Sequence, residues 1–145
     1  MIKIICVGKI KENYLNDLIR DYAKRINKFH KLEFIELKDN DDIIKETIEI
    51  LKVINKKDYN IALCINGKSY NSIDFSKHID ELFNYNGTIA FIIGGSNGLE
   101  DEIINICNET LSFSNFTFPH GLFRGILLEQ IYRSFKINNN ERYHK

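Results

Sequence analysis

"TIAFIIGGSNGLEDEIINIC", residues 88–107, decides the architecture. Thr88 to Gly95 is a continuous apolar run closed by two glycines, as expected of a strand covered on both faces. Behind it the period changes to that of a helix, expected to start at Asn97, where Glu100 completes a cap-like pair, and to bury Leu99, Ile103, Ile106 and Cys107. Such a strand followed directly by a helix is half of a crossover unit, so the chain is expected to build a parallel sheet.

The same unit recurs toward the N-terminus. "IKIICVG" (2–8) is a short β-rich run ended by Gly8, and Leu15, Leu18, Ile19, Tyr22, Ile26 and Phe29 then form a helical stripe. "LEFIEL" (32–37) alternates apolar and acidic residues as a half-exposed strand. Helical spacing returns at Ile43, Ile44, Thr47, Ile48, Leu51 and Ile54, with Asp41 and Asp42 at the first turn. "NIALCIN" (60–66), ended by Gly67, is a second doubly covered strand. Asn71 or Ser72 caps the next helix, which turns Phe75, Ile79, Leu82 and Phe83 inward. This alternation predicts one α/β domain over 1–145, with a mostly parallel sheet flanked by helices. After Leu111 it breaks down: "SFSNFTFPH" reads as a loop or short strand, a last helix is expected from about Gly121 to Ile137, and "NNNERYHK" (138–145) remains as a tail.

A chain of 145 residues, 43% hydrophobic, can bury a single core. Its longest apolar run, Ile89 to Ile93, is far short of the roughly 20 residues a membrane helix needs, and the N-terminal stretch is wrongly flanked for a signal peptide. A soluble, cytoplasmic protein is expected, with no membrane partner. Cys6, Cys64 and Cys107 sit in apolar segments without CxxC spacing and are expected to be buried, reduced thiols. His30, His78, His120 and His144 are scattered, which suggests no metal site. The absence of a Gly-x-Ser-x-Gly elbow removes the common hydrolase chemistries. Net charge is zero, but Lys and Arg outnumber Asp and Glu eight to three in 1–31 and five to two in 119–145, while 32–118 is acidic, seven against fifteen. This is either ordinary surface charge or a basic face where the two ends meet.

Ligands of open α/β sheets bind beyond the carboxyl ends of the strands, here at "GKIKE" (8–12), "NGKSYN" (66–71) and "GGSNGLEDE" (94–102). "NGKS" resembles the end of a phosphate-binding loop, but Ala62 stands where its first glycine is required. Glu100, Asp101 and Glu102 at a helix start repel phosphate and suit a neutral or cationic nucleoside-like ligand; a plain tight turn is the alternative. "LSFSNFTF" (111–118) sets main-chain groups and small hydroxyls between aromatic rings. It either brackets a flat ring or is an edge strand with three buried phenylalanines. In the last helix Phe123, Leu127, Ile131 and Phe135 share one side, Glu129 and Arg133 form an i,i+4 pair, and Gly121 and Gly125 permit close approach. Arg124 and Arg133 are read either as a solvated face or as functional. The tail "RYHK" (142–145) is of a kind often disordered, yet it carries cations for phosphate and Tyr143 for stacking, as an RNA contact needs.

In order and spacing, "CVGKIKE" (6–12), "IGGSNGL" (93–99), "LSFSNFTFPH" (111–120), "LLEQIYRSFKI" (127–137) and the terminal "YHK" resemble the ribosomal large-subunit RNA methyltransferase H family of the SPOUT superfamily. The resemblance spans essentially the whole chain. It implies a SPOUT-type α/β knot, in which the C-terminal segment threads a loop as a trefoil, and a homodimer whose active site the partner completes. It further implies S-adenosyl-L-methionine as cofactor and N3-methylation of a pseudouridine in helix 69 of 23S rRNA, in the assembled ribosome. The cofactor is assigned to Leu63, Gly94, Gly95 and the loop Phe113, Ser114, Asn115, Phe116, Thr117 and Phe118. The expected catalytic residues are Arg124 as charge stabiliser, Tyr143, and His144 as base, with Arg133, Arg142 and Lys145 on the RNA. The sequence departs from the family at Gly125, where a β-branched residue is usual, and at Glu141 and Arg142, where Pro or a small residue is common. A ribosome-binding module with the same fold and no turnover is the competing expectation.

Overall fold

The computed structural model describes residues 1–145. Five strands form one sheet: β1 (Ile2–Val7), β2 (Leu32–Leu37), β3 (Tyr59–Ser69), β4 (Ile89–Ile93) and β5 (Glu109–Ser112). Every pairing is parallel, in the order β2-β1-β4-β3-β5. β1 and β4 lie inside the sheet and every residue of both is buried; β4 is an unbroken apolar run, and β1 is interrupted only by Lys3, whose ammonium pairs with Asp58 at 2.5 Å. β2 is an edge strand with its exposed positions at Phe34 and Glu36, while Glu33 shares the half-buried face with Ile35 and Leu37.

The side-chain period of two divides the core. From β1, Ile2, Ile4 and Cys6 enter a large cluster with Ile26 of α1 (Asn13–Ile26), Phe75 and Ile79 of α3 (Ser72–Tyr85), and Leu127, Ile131 and Phe135 of α5 (His120–Asn138). Ile5 and Val7 face the other way, against Ile50 of α2 (Ile43–Val53) and Ile103 of α4 (Asp101–Ile106). Three helices therefore cover one face and two the other. Asp42 caps α2 by accepting from the Ile44 N–H at 2.9 Å, and Asn71 caps α3 by accepting from the Asp74 N–H at 2.8 Å.

Four local expectations change. β3 does not stop at Gly67: after an irregularity it pairs with β5 a second time, Lys68 with Leu111 and Ser69 with Ser112. Glycine permits this close approach, because a Cβ at Gly67 would lie 2.6 Å from the Leu111 carbonyl carbon. α4 starts at Asp101, since Gly95 to Gly98 close a tight turn through a Gly98 N–H to Gly95 carbonyl bond of 3.0 Å. That shorter helix leaves Ile106 43% exposed and Cys64 and Cys107 only half-buried, whereas Cys6 is fully buried. The tail is ordered: the Tyr143 ring meets Tyr132 edge-on at 4.9 Å, and Arg142 and His144 form a β-bridge.

Two buried polar groups position the carboxyl edge of the sheet. Arg124 of α5, 2% exposed, donates from Nη2 to the carbonyls of Val7 at 3.1 Å and Gly8 at 2.6 Å, and from Nη1 to Glu36 Oε2 at 3.0 Å. It thereby ties the C-terminal helix to the ends of both β1 and β2. Glu46 of α2, 3% exposed, accepts from the Asn40 N–H at 2.9 Å with one oxygen, while its other oxygen has no partner. Burial pushes its carboxyl above the usual range; the Asn40 bond opposes this, and the neighbouring Asp39 adds to it.

Arg124→Ala leaves two carbonyls and a carboxylate without their donor and is expected to cost about 3–5 kcal/mol in urea unfolding, with Arg124→Lys recovering only part because an ammonium lacks the fork. Glu46 contributes its full stability below the ordinary carboxyl range and loses it as pH rises through its raised value. Glu46→Gln is therefore expected to melt at higher temperature than the parent at pH 8, with the difference closing as the solution is acidified.

Candidate functional site

The carboxyl ends of β3, β4 and β5 surround a cavity of about 300 Å³. Each wall follows from local sequence. Leu63 of β3 and Ile93 of β4 supply its apolar floor, and Gly94, Gly95 and Gly98 keep the β4–α4 turn free of side chains. A Cβ on Gly94 would collide with the Gly98 carbonyl oxygen and lie 2.6 Å from its carbon, so only glycine allows this turn to fold back on itself. Backbone groups consequently face the cavity directly.

The opposite wall is the segment after β5. The Ser114 hydroxyl accepts from the Phe116 N–H at 3.0 Å and shapes the loop, while Phe113 packs against Phe123 at 5.3 Å and Phe118 stacks on Phe123 at 6.4 Å. Phe113, Ser114, Phe116, Thr117 and Phe118 all line the cavity, as do Leu63, Gly94 and Gly95. Asn115 is exposed and is not part of the wall. Aromatic rings facing glycine-bared backbone make a slot for a planar group whose edge is read by main-chain donors and acceptors. No lysine or arginine lines the cavity, and Asp101 and Glu102 occupy the first turn of α4.

His120, absent from the residues expected above, also lines the cavity. Its Nε2 lies 3.4 Å from Arg124 Nη2; burial, and then that guanidinium, lower its pKa, so the ring is held neutral. The signal in the sequence was its position four residues before Arg124, one turn away on the same helical face.

Arg133, Arg142, Tyr143, His144 and Lys145 are gathered elsewhere and do not line the cavity. Arg133 lies ten residues beyond Phe123, about 15 Å along α5. Arg133 pairs with Glu129, Nη2 to Oε1 at 2.5 Å, and donates from Nη1 to His144 Nδ1 at 3.0 Å. Tyr143 donates to Glu129 Oε1 at 3.0 Å and lies 3.3 Å from the Tyr22 hydroxyl, and its ring sits 4.8 Å beneath the Arg133 guanidinium. Burial, then the Tyr22 and Glu129 contacts, raise its phenol well above the usual value and keep it protonated. Arg142 and Lys145 are exposed. No group of three or more His, Cys, Asp or Glu is arranged to hold a metal ion, and no helix is long and apolar enough to cross a membrane.

Comparison with known proteins matches this geometry to a family. A family described as "Predicted SPOUT methyltransferase" covers residues 1–144. Ribosomal RNA large subunit methyltransferase H of Fusobacterium nucleatum is 50% identical over 99% of each chain, and that of Clostridium acetobutylicum is 43% identical over the same share. Among solved structures, a probable methylase family protein from Haemophilus influenzae superposes with a TM-score of 0.61 at 13% identity, over 99% of this chain and 70% of that one. The SpoU methyltransferase AviRb of Streptomyces viridochromogenes, solved in complex with AdoMet, gives 0.51 at 11% identity over 94% and 60%. With a parallel sheet of the same class and full-length relatives at this identity, the chain belongs to the ribosomal RNA large subunit methyltransferase H family of SPOUT methyltransferases.

Proposed function

We propose that the protein is an S-adenosylmethionine-dependent methyltransferase of large-subunit ribosomal RNA, acting as a homodimer on N3 of a pseudouridine in helix 69 of 23S rRNA. The observation that carries the reading is the cavity itself: glycine-bared backbone facing Phe113 and Phe118, with no anion grip. S-adenosylmethionine is flat at one end, bears a sulfonium and no phosphate, and supplies an already activated methyl group. Gly94 and Gly95 would hold it through backbone groups, with Leu63 and the loop 113–118 around it. We further propose that the C-terminal segment is threaded as a trefoil, a reading that rests on membership of the SPOUT family.

The chain's own residues have two tasks. They must align acceptor nitrogen, methyl carbon and sulfur, and they must receive the proton that N3 gives up. Arg124, with its donors engaged by Val7, Gly8 and Glu36, acts on charge at the cavity through His120. Arg133, Arg142 and Lys145 are the cations for RNA phosphate. When Arg133 turns to phosphate it releases His144 Nδ1, whose lone pair then accepts the N3 proton; Tyr143, kept protonated, donates beside it. Because the tail sits about 15 Å along α5 from its own cavity, a partner's tail is the natural source of these groups. Exposed Tyr14 and Leu122, at the starts of the mutually packed α1 and α5, support an association surface there.

Isothermal titration is expected to give one S-adenosylmethionine per subunit, with binding abolished by Gly94→Val in a protein whose circular dichroism is unchanged; a null titration of the folded parent overturns the assignment. Mass spectrometry of ribosomal RNA from a strain lacking the gene is expected to show one methyl missing from the pseudouridine. An unchanged methyl count favours the non-enzymatic ribosome-binding module. His144→Ala is expected to lower turnover about 100-fold with donor affinity unaltered, measured by single-turnover methyl transfer to ribosomes.

A further inference from the structure

A second cavity, of about 390 Å³, adjoins the first. The two share Leu111, Ser112, Phe113 and Phe118 as walls, so an occupant of one lies against an occupant of the other. The far side of the second cavity is built by Tyr70 and by Gln130 of α5. Its aromatic walls are fixed: Tyr70 stacks on His78 at 5.1 Å, with Lys68 Nζ 4.8 Å from its ring, and His78 is in turn bonded to Glu109 at 2.7 Å.

Gln130 lines this space together with the polar Asn71, Ser72 and Ser112, and its amide is half used. Its carbonyl accepts from the Ser72 hydroxyl at 2.7 Å, and its Nε2 donates to Glu129 Oε2 at 2.8 Å. One N–H and one lone pair remain, at fixed orientation, because both ends are already held. A pyrimidine of the uracil type carries a ring carbonyl beside its N3–H, and the free amide N–H is a donor for that carbonyl.

The amide also connects the cavity to the tail. Ser72 bonds Gln130, Gln130 bonds Glu129, Glu129 bonds both Arg133 and Tyr143, and Arg133 bonds His144. The Gln130 amide is thereby held from both sides, its orientation set by Ser72 of α3 and by the charged cluster around Glu129.

We propose that the second cavity receives the everted acceptor base, stacked against Phe113 and Phe118 and read at a ring carbonyl by the remaining Gln130 N–H. This rests on the methyltransferase reading and adds the acceptor's seat to it. Held there, the base presents its ring nitrogen to the shared wall, beyond which the methyl donor lies. An amide donor at a carbonyl next to that nitrogen also stabilises the negative charge that builds when the N–H proton leaves. A base lacking the carbonyl would strand the amide unpaired, so Gln130 is a specificity residue as well as a positioning one.

The test uses the whole protein, with S-adenosylmethionine as one probe and ribosomes from the deletion strain as the other. Gln130→Leu is expected to raise the KM for ribosomes about tenfold or more while the donor Kd stays within about twofold. Ser72→Ala, which frees the amide to turn, is expected to move KM the same way by less. Gln130→Glu, nearly the same shape, keeps the question open to measurement if the leucine variant does not fold, and it is expected to raise KM as well. A matching loss of donor affinity would hand the cavity to the donor's amino-acid arm and overturn the proposal, as would an unaltered KM. Independently of turnover, pseudouridine nucleoside titrated into the donor-saturated parent is expected to shift the Gln130 side-chain amide resonances; shifts absent there sink the inference even where methylation is intact. Failure of the parent to methylate at all bears instead on the proposed function, while the nucleoside titration still decides the cavity.

Discussion

The carboxyl edge of this molecule depends on one buried cation. Arg124 sits almost wholly out of water, and its guanidinium is tolerated only because two main-chain carbonyls and Glu36 receive it. Its Nε has no partner, which leaves the charge with little slack. Geometry follows from that constraint: α5 cannot slide along the sheet without stranding the charge, so its first turn, carrying His120 and Phe123, is held over the ends of the strands. The loop 113–119 must then span from β5 to that fixed helix start, and its rings close the cavity. A site made of backbone and aromatic faces has few strong contacts of its own, and its shape is maintained by an ionic contact outside it.

The two ends of α5 divide the work. The first turns border the slot between glycine backbone and phenylalanine, where polar side chains are scarce. Farther along, Glu129 is the hub of a charged network that orders the tail through Arg133 and Tyr143. Gln130 stands at the junction, bonded to α3 on one side and to the hub on the other. Such an arrangement joins the apolar slot at one end of α5 to the charged surface of the tail at the other.

Much of this was legible in the residues. The nearly continuous apolar run of β1 and the unbroken one of β4 announced their places inside the sheet, because burial on two faces suppresses polar positions. Asp42 and Asn71 marked two helix starts through their capping chemistry. The extension of β3 past Gly67 was hidden, since the cause is the approach of β5, a partner distant in sequence. The α4 boundary was misread because Glu100, a plausible capping partner, makes no side-chain cap bond. Composition left Arg124 open between solvent and site; its burial is set by three groups from β1 and β2, which no local window contains. His120 and Gln130 were given no role for the same reason, whereas the aromatic loop was identifiable through the family resemblance.

The packing of α5 against α1 joins the last long helix to the first. During vectorial synthesis α1 leaves the exit tunnel early and waits, its apolar face unpaired, until nearly the whole polypeptide has been made. Closure of the large cluster is therefore a late event, dominated by contacts of high sequence separation, and such contacts fold slowly. Until then the apolar face of α1 and its side of the sheet stay uncovered, the kind of transient exposure that favours association between incomplete chains.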